Sequence, residues 1–406
     1  ALEAVHTREA ERVRDRLQTL GGGLLKLGQL LSTRADILPK AWIDALSTLQ
    51  DRVPPAPDAE VRAELEPPFG PGLAAFAELA AEPIAAASLA EVRRGRRHAD
   101  GSSADGADVA VKLRRPGIAE VLAQDEKALA VLAALMPRDL VDIDPRPILA
   151  ELGRALGDEL DFRREAAFAD AFAQALSVSL GDRVIVPRPH HDLTTERVLV
   201  MDFVEGERLV PFLEAASPED RAIALGLLAE VTAYAILVHG LVHADPHPGN
   251  FLVQRVRQGS DATATEADAL RLVVLDFGAV TRLTEAERRA YVELFPAIFG
   301  GNEAKVTTLL ATLGFSAPDP SAPARFAMTV VRPLVMVDLA TVDPKAELER
   351  GLALARAYPG LVVPAAFVQI TRALAGLGGL YLRYRPPLDL ASTLWGALAA
   401  ASRPTP

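Results

Sequence analysis

The sequence predicts an α+β protein in which helices outweigh strands. Alanine and leucine dominate the 406 residues and aromatics make up only 5%, a composition that favours helix. Against that background stand four short runs of strand type, at 84–92, 109–113, 184–186 and 197–204. A fifth signal is a pair of apolar runs, 251–253 and 272–275, that read as the two arms of a hairpin.

The elements follow in order. Residues 2–31 and 40–49 carry helical patterns. Pro54, Pro55 and Pro57, and then Pro67, Pro68 and Pro71, punctuate the chain as a linker would. The stretch 93–108, rich in Gly, Ser, Asp and Arg, reads as an exposed hairpin loop between the first two strand runs. Residues 147–176 form a long helical pattern with an acid-rich middle, and 218–238 form another. A polar insert at 255–269 separates the hairpin arms. From Thr284 onward the chain is helix-forming, broken by Pro318, Pro320, Pro364, Pro386 and Pro387. No internal repeat is visible.

Composition narrows the function classes. Half of the residues are apolar and 24% are charged, as in a globular chain with sizeable cores. Forty-three basic against 54 acidic residues give a net charge of -11, which argues against nucleic acid as a partner. There is no cysteine, so disulfides, thiol nucleophiles, iron–sulfur clusters and Cys-based zinc sites are excluded and the compartment stays open. Residues 1–14 are charged and helix-prone, without the apolar core of a signal peptide. No transmembrane segment is expected: the best candidate, 223–238, is interrupted by Glu230 and is shorter than the ~20 apolar residues a span needs. Residues 390–402 are uncharged but also short, and both stretches read as buried helices. Peripheral membrane contact through a local basic patch remains compatible with the charge.

The densest chemistry is His243-Ala244-Asp245-Pro246-His247-Pro248-Gly249-Asn250, followed by Leu275-Asp276-Phe277-Gly278. Phosphoryl transfer needs one carboxylate to orient or accept a proton, and a carboxamide and a second carboxylate to hold Mg²⁺. Asp245 fits the first role, and Asn250 with Asp276 supplies the oxygen ligands that a hard cation prefers. A plain Pro-rich turn with capping side chains would explain either string alone, but not both in this order. His239, His243 and His247 recur every four residues, as zinc ligands on a helix would. Pro246 and Pro248 forbid that helix, and no H-E-x-x-H is present.

Lys112 ends a strand run and can neutralise phosphate oxygens if a helix carboxylate holds it. Glu159, Asp161 and Glu165 are on offer; Asp161 and Glu165, four apart, share a helical face, while Glu159 points elsewhere. Ala85, Ala86, Ala87 and Ser88 lie one strand upstream, where a phosphate loop would be expected. Their small side chains let backbone N–H groups approach an anion, although Ala resists the φ > 0 conformations open to Gly. No G-x-x-x-x-G-K-[ST] occurs, and Gly21-Gly22-Gly23 follows no strand. Lys26 and Gln29 sit three apart in an apolar helix, where a buried Lys needs a carboxylate partner.

Taken together these motifs resemble the UbiB-type, AarF-related atypical protein-kinase-like family, which is linked to ubiquinone and other isoprenoid-lipid metabolism. The K-x-G-Q signature is Lys26-Leu27-Gly28-Gln29, the E-x-D motif is Glu159-Leu160-Asp161, and the Ala-rich loop, catalytic loop and D-F-G are those quoted above. The resemblance covers roughly residues 17–282. It implies a two-lobed protein-kinase-like fold with a helical N-terminal extension (1–78), an N-lobe with an inserted long helix (79–204), a C-lobe core (205–300) and additional C-terminal helices (301–406).

It further implies that Lys112 contacts the α- and β-phosphates and pairs with Glu165, and that Asp245 is the catalytic carboxylate. By the same resemblance Asn250 and Asp276 should bind Mg²⁺, and backbone groups of Asp202 and Val204 should hydrogen-bond adenine. The resemblance also implies that Lys26 and Gln29 lie over the cleft as regulatory residues, with Lys26 near Glu159 and Asp161. The expected cofactors are ATP or ADP with Mg²⁺. The expected activity is a Mg-dependent ATPase or a small-molecule or lipid kinase, with peptide phosphorylation disfavoured. The alternatives are a non-catalytic nucleotide-gated scaffold and an aminoglycoside-type phosphotransferase. The implied partners are an isoprenoid lipid or lipid-biosynthetic enzymes, and the implied location is cytoplasmic or peripheral at the inner membrane. One departure stands out. Glu91 replaces the Gln usual before Val92, so its carboxylate either points away from the phosphates or shifts the nucleotide preference. No A-P-E string follows Asp276-Phe277-Gly278, as the family implies.

Overall fold

The computed structural model describes residues 2–20, 24–25, 28, 40–46, 48–49, 54–98, 106–135, 157, 160–245, 247–256, 269–328 and 360–403. The chain divides into two compact units: Ala1–Ala167 with Arg188–Phe203, and Phe168–Pro187 with Val204–Pro406. The architecture is α+β.

In the first unit, helices α1 (Leu2–Leu20) and α2 (Lys40–Leu46) precede α3 (Asp58–Phe69). Leu17, Leu25, Leu46 and Leu49 share an apolar cluster. Gly28 lies against it: a Cβ there would come within 2.6 Å of Leu49 and 2.7 Å of Leu17. The glycine of the K-x-G-Q string therefore permits a close approach that any side chain would disturb.

Between the two proline clusters, where a linker was expected, α3 lies on the sheet through Val61, Leu65 and Phe69. Strands β1 (Phe76–Leu79), β2 (Ala85–Ala86), β3 (Ala90–Arg97), β4 (Asp108–Arg114) and β6 (Val198–Asp202) form one antiparallel sheet, ordered β1-β3-β4-β6 with β2 on β3. Strand alternation gives this sheet two faces. Val109, Val111, Leu113, Val198 and Val200 meet α3 on one. Ala90, Leu199 and Met201 meet Phe162 and Ala166 on the other. Helix α4 (Ile118–Leu135) follows β4.

The reading of 93–108 as a loop is corrected here, because β3 runs on through Arg97. Arg93 is fully buried and neutralised by Glu91 and Asp58, while Arg94 pairs with Asp108 and Arg96 with Glu78. Charges that read as solvated are satisfied by partners distant in sequence.

Helix α5 (Phe162–Leu180) contributes its first six residues to the first unit and the remainder to the second. In the second unit β5 (Val184–Ile185) runs parallel to β10 (Ala269–Val274), which pairs with β9 (Phe251–Val256), and β9 with β7 (Glu207–Arg208). A separate two-stranded ladder joins β8 (Leu241–His243) to β11 (Val280–Arg282). Helices α6 (Leu209–Ala215), α7 (Pro218–Leu237), α8 (Glu285–Phe299) and α9 (Glu303–Thr312) surround these strands.

Local chemistry marks the helix starts. Ser217 caps α7 with Pro218 in the first turn, and Thr284 with Glu287 forms a capping box at α8. Gly240, at φ +65°, makes the turn from α7 into β8. Phe172, fully buried, packs against Phe277 at 5.3 Å and the His243 ring at 5.9 Å. Phe172→Ala should destabilise the second unit by about 3–5 kcal/mol, read as a lower urea midpoint at unchanged slope.

Two further helices, α10 (Ala365–Tyr384) and α11 (Leu390–Ala401), close the described chain. Among the described residues α10, not the stretch 223–238, is long and apolar enough to cross a membrane by length and composition, with mean hydropathy 1.3. One face of α10 is built into the protein: Leu377, Leu380 and Tyr381 join the core, and the Tyr381 hydroxyl donates to the Leu225 carbonyl at 2.6 Å. Residues 223–237 lie within α7, where Leu225, Leu228 and Val231 belong to the same core.

Candidate functional site

In the first unit the side chain of Lys112 leaves the face of β4 opposite α3. Its Nζ donates to Glu165 Oε1 at 2.6 Å and lies 5.4 Å from the centre of the Phe162 ring. Glu165 is 3% exposed and Lys112 15%, so this ion pair is largely desolvated and each charge depends on the other.

Glu165 reaches Lys112 because α5 starts at Phe162. Asp161 stands just before the helix, where its Oδ1 accepts from the Arg163 N–H at 3.1 Å. The expectation that Asp161 and Glu165 share a face within one long helix is thereby corrected. Asp161 is a cap, an assignment that suits a short acidic side chain able to satisfy an orphan N–H.

Ala85 and Ala86 form β2 and pair with Val92 and Glu91, and the Ala87 N–H donates to the Ala90 carbonyl at 2.8 Å. Ser88, in the same turn, is buried. The loop is thus a tight hairpin bend. The Glu91 carboxylate accepts from the Ala56 N–H and from Arg93, on the face of the sheet away from Lys112. The repulsion that Glu91 threatened does not arise.

In the second unit Asn250 Nδ2 donates to Asp245 Oδ2 at 3.0 Å and to the Asp245 carbonyl at 3.2 Å. This uses the amide nitrogen and leaves the amide oxygen of Asn250 as the group able to ligate a cation. Asp276 Oδ1 accepts from the Gly278 N–H at 2.9 Å, while Phe277 is sunk in the core.

His243 joins the two strings. Its Nδ1 accepts from the Asp245 N–H at 3.3 Å, so Nε2 carries the proton and donates to the Asp276 carbonyl at 2.5 Å. The ring lies among Phe172, Phe251 and Phe277. Sequence reasoning placed His243 at the head of the catalytic string and weighed it as a metal ligand, but gave it no role in holding Asp245 or Asp276. Its position two residues before Asp245 was the available signal.

A model of the ABC1 atypical kinase-like domain matches residues 48–310. The chain belongs to this family. It is 32% identical to the Pseudomonas putida protein named probable protein kinase UbiB, over 94% of this chain and 69% of that one. It is 30% identical to the Marinobacter nauticus protein of the same name, over 94% and 68%. The chloroplastic Arabidopsis thaliana protein named activity of bc1 complex kinase 8 is 32% identical over 76% of this chain, which spans only 39% of that longer relative. Among solved structures, the Mycobacterium tuberculosis protein Rv3197, in complex with erythromycin, superposes with a TM-score of 0.63 at 23% identity, covering all of both chains. That likeness concerns the fold.

The remaining residues expected from the UbiB-type resemblance fall into two groups. Lys26, Gln29 and Glu159 lie outside the described residues. Asp202 ends β6, where its N–H donates to the Arg188 carbonyl at 2.9 Å. Its carboxylate is 2.8 Å from His190 Nε2. Val204 is half-buried at the start of the second unit's longer stretch.

The three histidines of the zinc reading have separate partners. His243 is committed as above, and His247 Nδ1 accepts from the Gly249 N–H at 3.0 Å. His239 Nε2 lies 2.6 Å from Ser179 Oγ. Burial, and secondarily the Arg288 guanidinium, pushes the His239 pKa below 6.5. The unfolded chain then binds the extra proton first. Stability is full above about pH 6.5 and declines as pH falls towards the folded pKa. His239→Gln should flatten Tm against pH between about 7 and 5.

Proposed function

We propose that the chain binds Mg·ATP or Mg·ADP and transfers the γ-phosphoryl group of ATP to water or to the hydroxyl of a small, lipid-like molecule. The observation that carries this reading is the Asp245–Asn250 pair tied through His243 to Asp276, a constellation whose parts match the needs of phosphoryl transfer. Family membership supports the same reading.

Lys112, held by Glu165, offers its ammonium to the α- and β-phosphate oxygens. The Asp202 carbonyl and the Val204 N–H are the groups we assign to adenine, and the turn at Ala85, Ala86, Ala87 and Ser88 offers backbone to the phosphates. Asn250 and Asp276 have the hard oxygen donors that suit Mg²⁺, which when bound neutralises charge on the phosphates. Asp245, its carboxylate oriented by the Asn250 amide, turns the attacking hydroxyl and takes its proton as the bond from phosphorus to the ADP oxygen breaks. The isoprenoid-lipid connection, with a lipid or lipid-biosynthetic enzymes as partners, rests on the family resemblance, as does the regulatory role of Lys26, Gln29, Glu159 and Asp161.

Single-turnover phosphate release from radiolabelled ATP, with and without Mg²⁺ and with prenol-like alcohols or an aminoglycoside as acceptor, tests the proposal. Mg²⁺-dependent release, or label on the prenol-like acceptor, is the expected result. Tight nucleotide binding without release would instead make the chain a nucleotide-gated scaffold, and label on the drug alone would favour the antibiotic-type phosphotransferase.

A further inference from the structure

Two charged side chains in the first unit are buried on the face of the sheet away from Lys112. Glu91 and Arg93 are each fully buried, and Arg93 Nε donates to Glu91 Oε1 at 2.8 Å. Buried ions are costly unless their remaining lone pairs and N–H groups are met. Most of these are met by one short piece of chain, at alternate residues; Arg93 Nη1 also donates to the Ala80 carbonyl at 3.4 Å, and Arg93 Nη2 is buried without a partner among the described residues. The Ala56 N–H donates to Glu91 Oε2 at 3.0 Å, and Arg93 Nη1 donates to the Asp58 carboxylate. Two residues before Ala56, the Pro54 carbonyl accepts from Arg115 Nη1 at 2.9 Å. Arg62 completes the network, donating to Asp58 Oδ2 at 2.7 Å and to the Leu79 carbonyl at 3.2 Å.

The groups that grip residues 54–58 also hold the small-residue turn. Glu91 pairs through its backbone with Ala86. The Arg115 N–H donates to the carbonyl of Leu89, the residue after Ser88, at 2.9 Å. Each clamp residue thus has one arm on the chain that follows the N-terminal helices and its backbone on the turn or its strand. A shift of residues 54–58 has a contiguous, polar and largely desolvated route to the turn.

We propose that Glu91, Arg93 and Arg115 are positioning residues that couple the N-terminal extension to the phosphate turn, so that the placement of residues 54–58 sets nucleotide affinity. The last clause rests on the nucleotide reading above, whereas the coupling itself does not.

The test uses the whole chain and the variants Glu91→Gln, Asp58→Asn and Asp58→Glu. Asp58 is 37% exposed, so its variants survive even where Glu91→Gln fails to fold. Amide hydrogen exchange is followed in the nucleotide-free protein, and ATP affinity by calorimetry with Mg²⁺ present. Asp58→Asn should speed exchange at 85–92 and weaken ATP binding, each by about fivefold or more, with β10 unchanged and with recovery in Asp58→Glu. A lowered Tm with exchange at 85–92 and affinity both as in the wild type would overturn the proposal and leave the clamp a plain stability element. Faster exchange at 85–92 in Asp58→Asn, with a wild-type protein that binds no nucleotide, would uphold the coupling and sink the nucleotide reading instead.

Discussion

Asp245→Asn is expected to lower single-turnover phosphate release by about 10²- to 10⁴-fold while leaving nucleotide affinity within about twofold of the wild type. The substitution keeps an oxygen where Asn250 Nδ2 now donates at 3.0 Å, so the turn between β8 and β9 retains its shape. His243 is likewise undisturbed, because it accepts from the backbone N–H of residue 245 and not from the side chain. What is lost is the capacity to take a proton from the attacking oxygen. An unchanged rate would remove Asp245 from the chemistry, and a rate and affinity that fall together would point to a collapsed loop.

Glu165→Gln should have the second largest effect, and on two observables at once. Lys112 is 15% exposed and its Nζ lies 2.6 Å from Glu165. Removing the countercharge strands a largely buried ammonium, at a cost of about 3 kcal/mol in urea denaturation. The same ammonium, no longer aimed, should bind ATP about tenfold more weakly. Adding Lys112→Met to Glu165→Gln should then restore most of the stability and none of the affinity. Such non-additivity is the signature of a pair acting as a unit. Additive losses in both measurements would show that Lys112 and Glu165 act separately.

Much of the candidate site was legible because its chemistry is local in sequence. Asp245, Asn250 and Asp276 sit in strings whose order already limits their use, and a lysine ending an apolar run announced β4. The features that escaped are those whose meaning lies in distant partners. Arg93 reads as a loop residue until Asp58, 35 positions earlier, is seen to neutralise it. Strand β1, four residues long with a register shift and two exposed positions, lacks the length and alternation that would mark it. Asp161 could have been recognised, since an Asp before an apolar residue with Glu165 following in the first turn is a helix-start signal; the long acid-rich pattern around it hid the boundary. The tautomer of His243 was out of reach, because it depends on two backbone groups, one of them 33 residues away.

The central proposal is that the chain binds a nucleotide with Mg²⁺, Lys112 being assigned to the phosphates and Asp276 to the cation. Calorimetric titration of ATP, with and without Mg²⁺, into the wild type, Lys112→Ala and Asp276→Asn tests it directly. The account predicts one nucleotide per chain, weaker binding in both variants, and a Mg²⁺ dependence that survives in Lys112→Ala but disappears in Asp276→Asn. Wild-type affinity and Mg²⁺ dependence in either variant would contradict it.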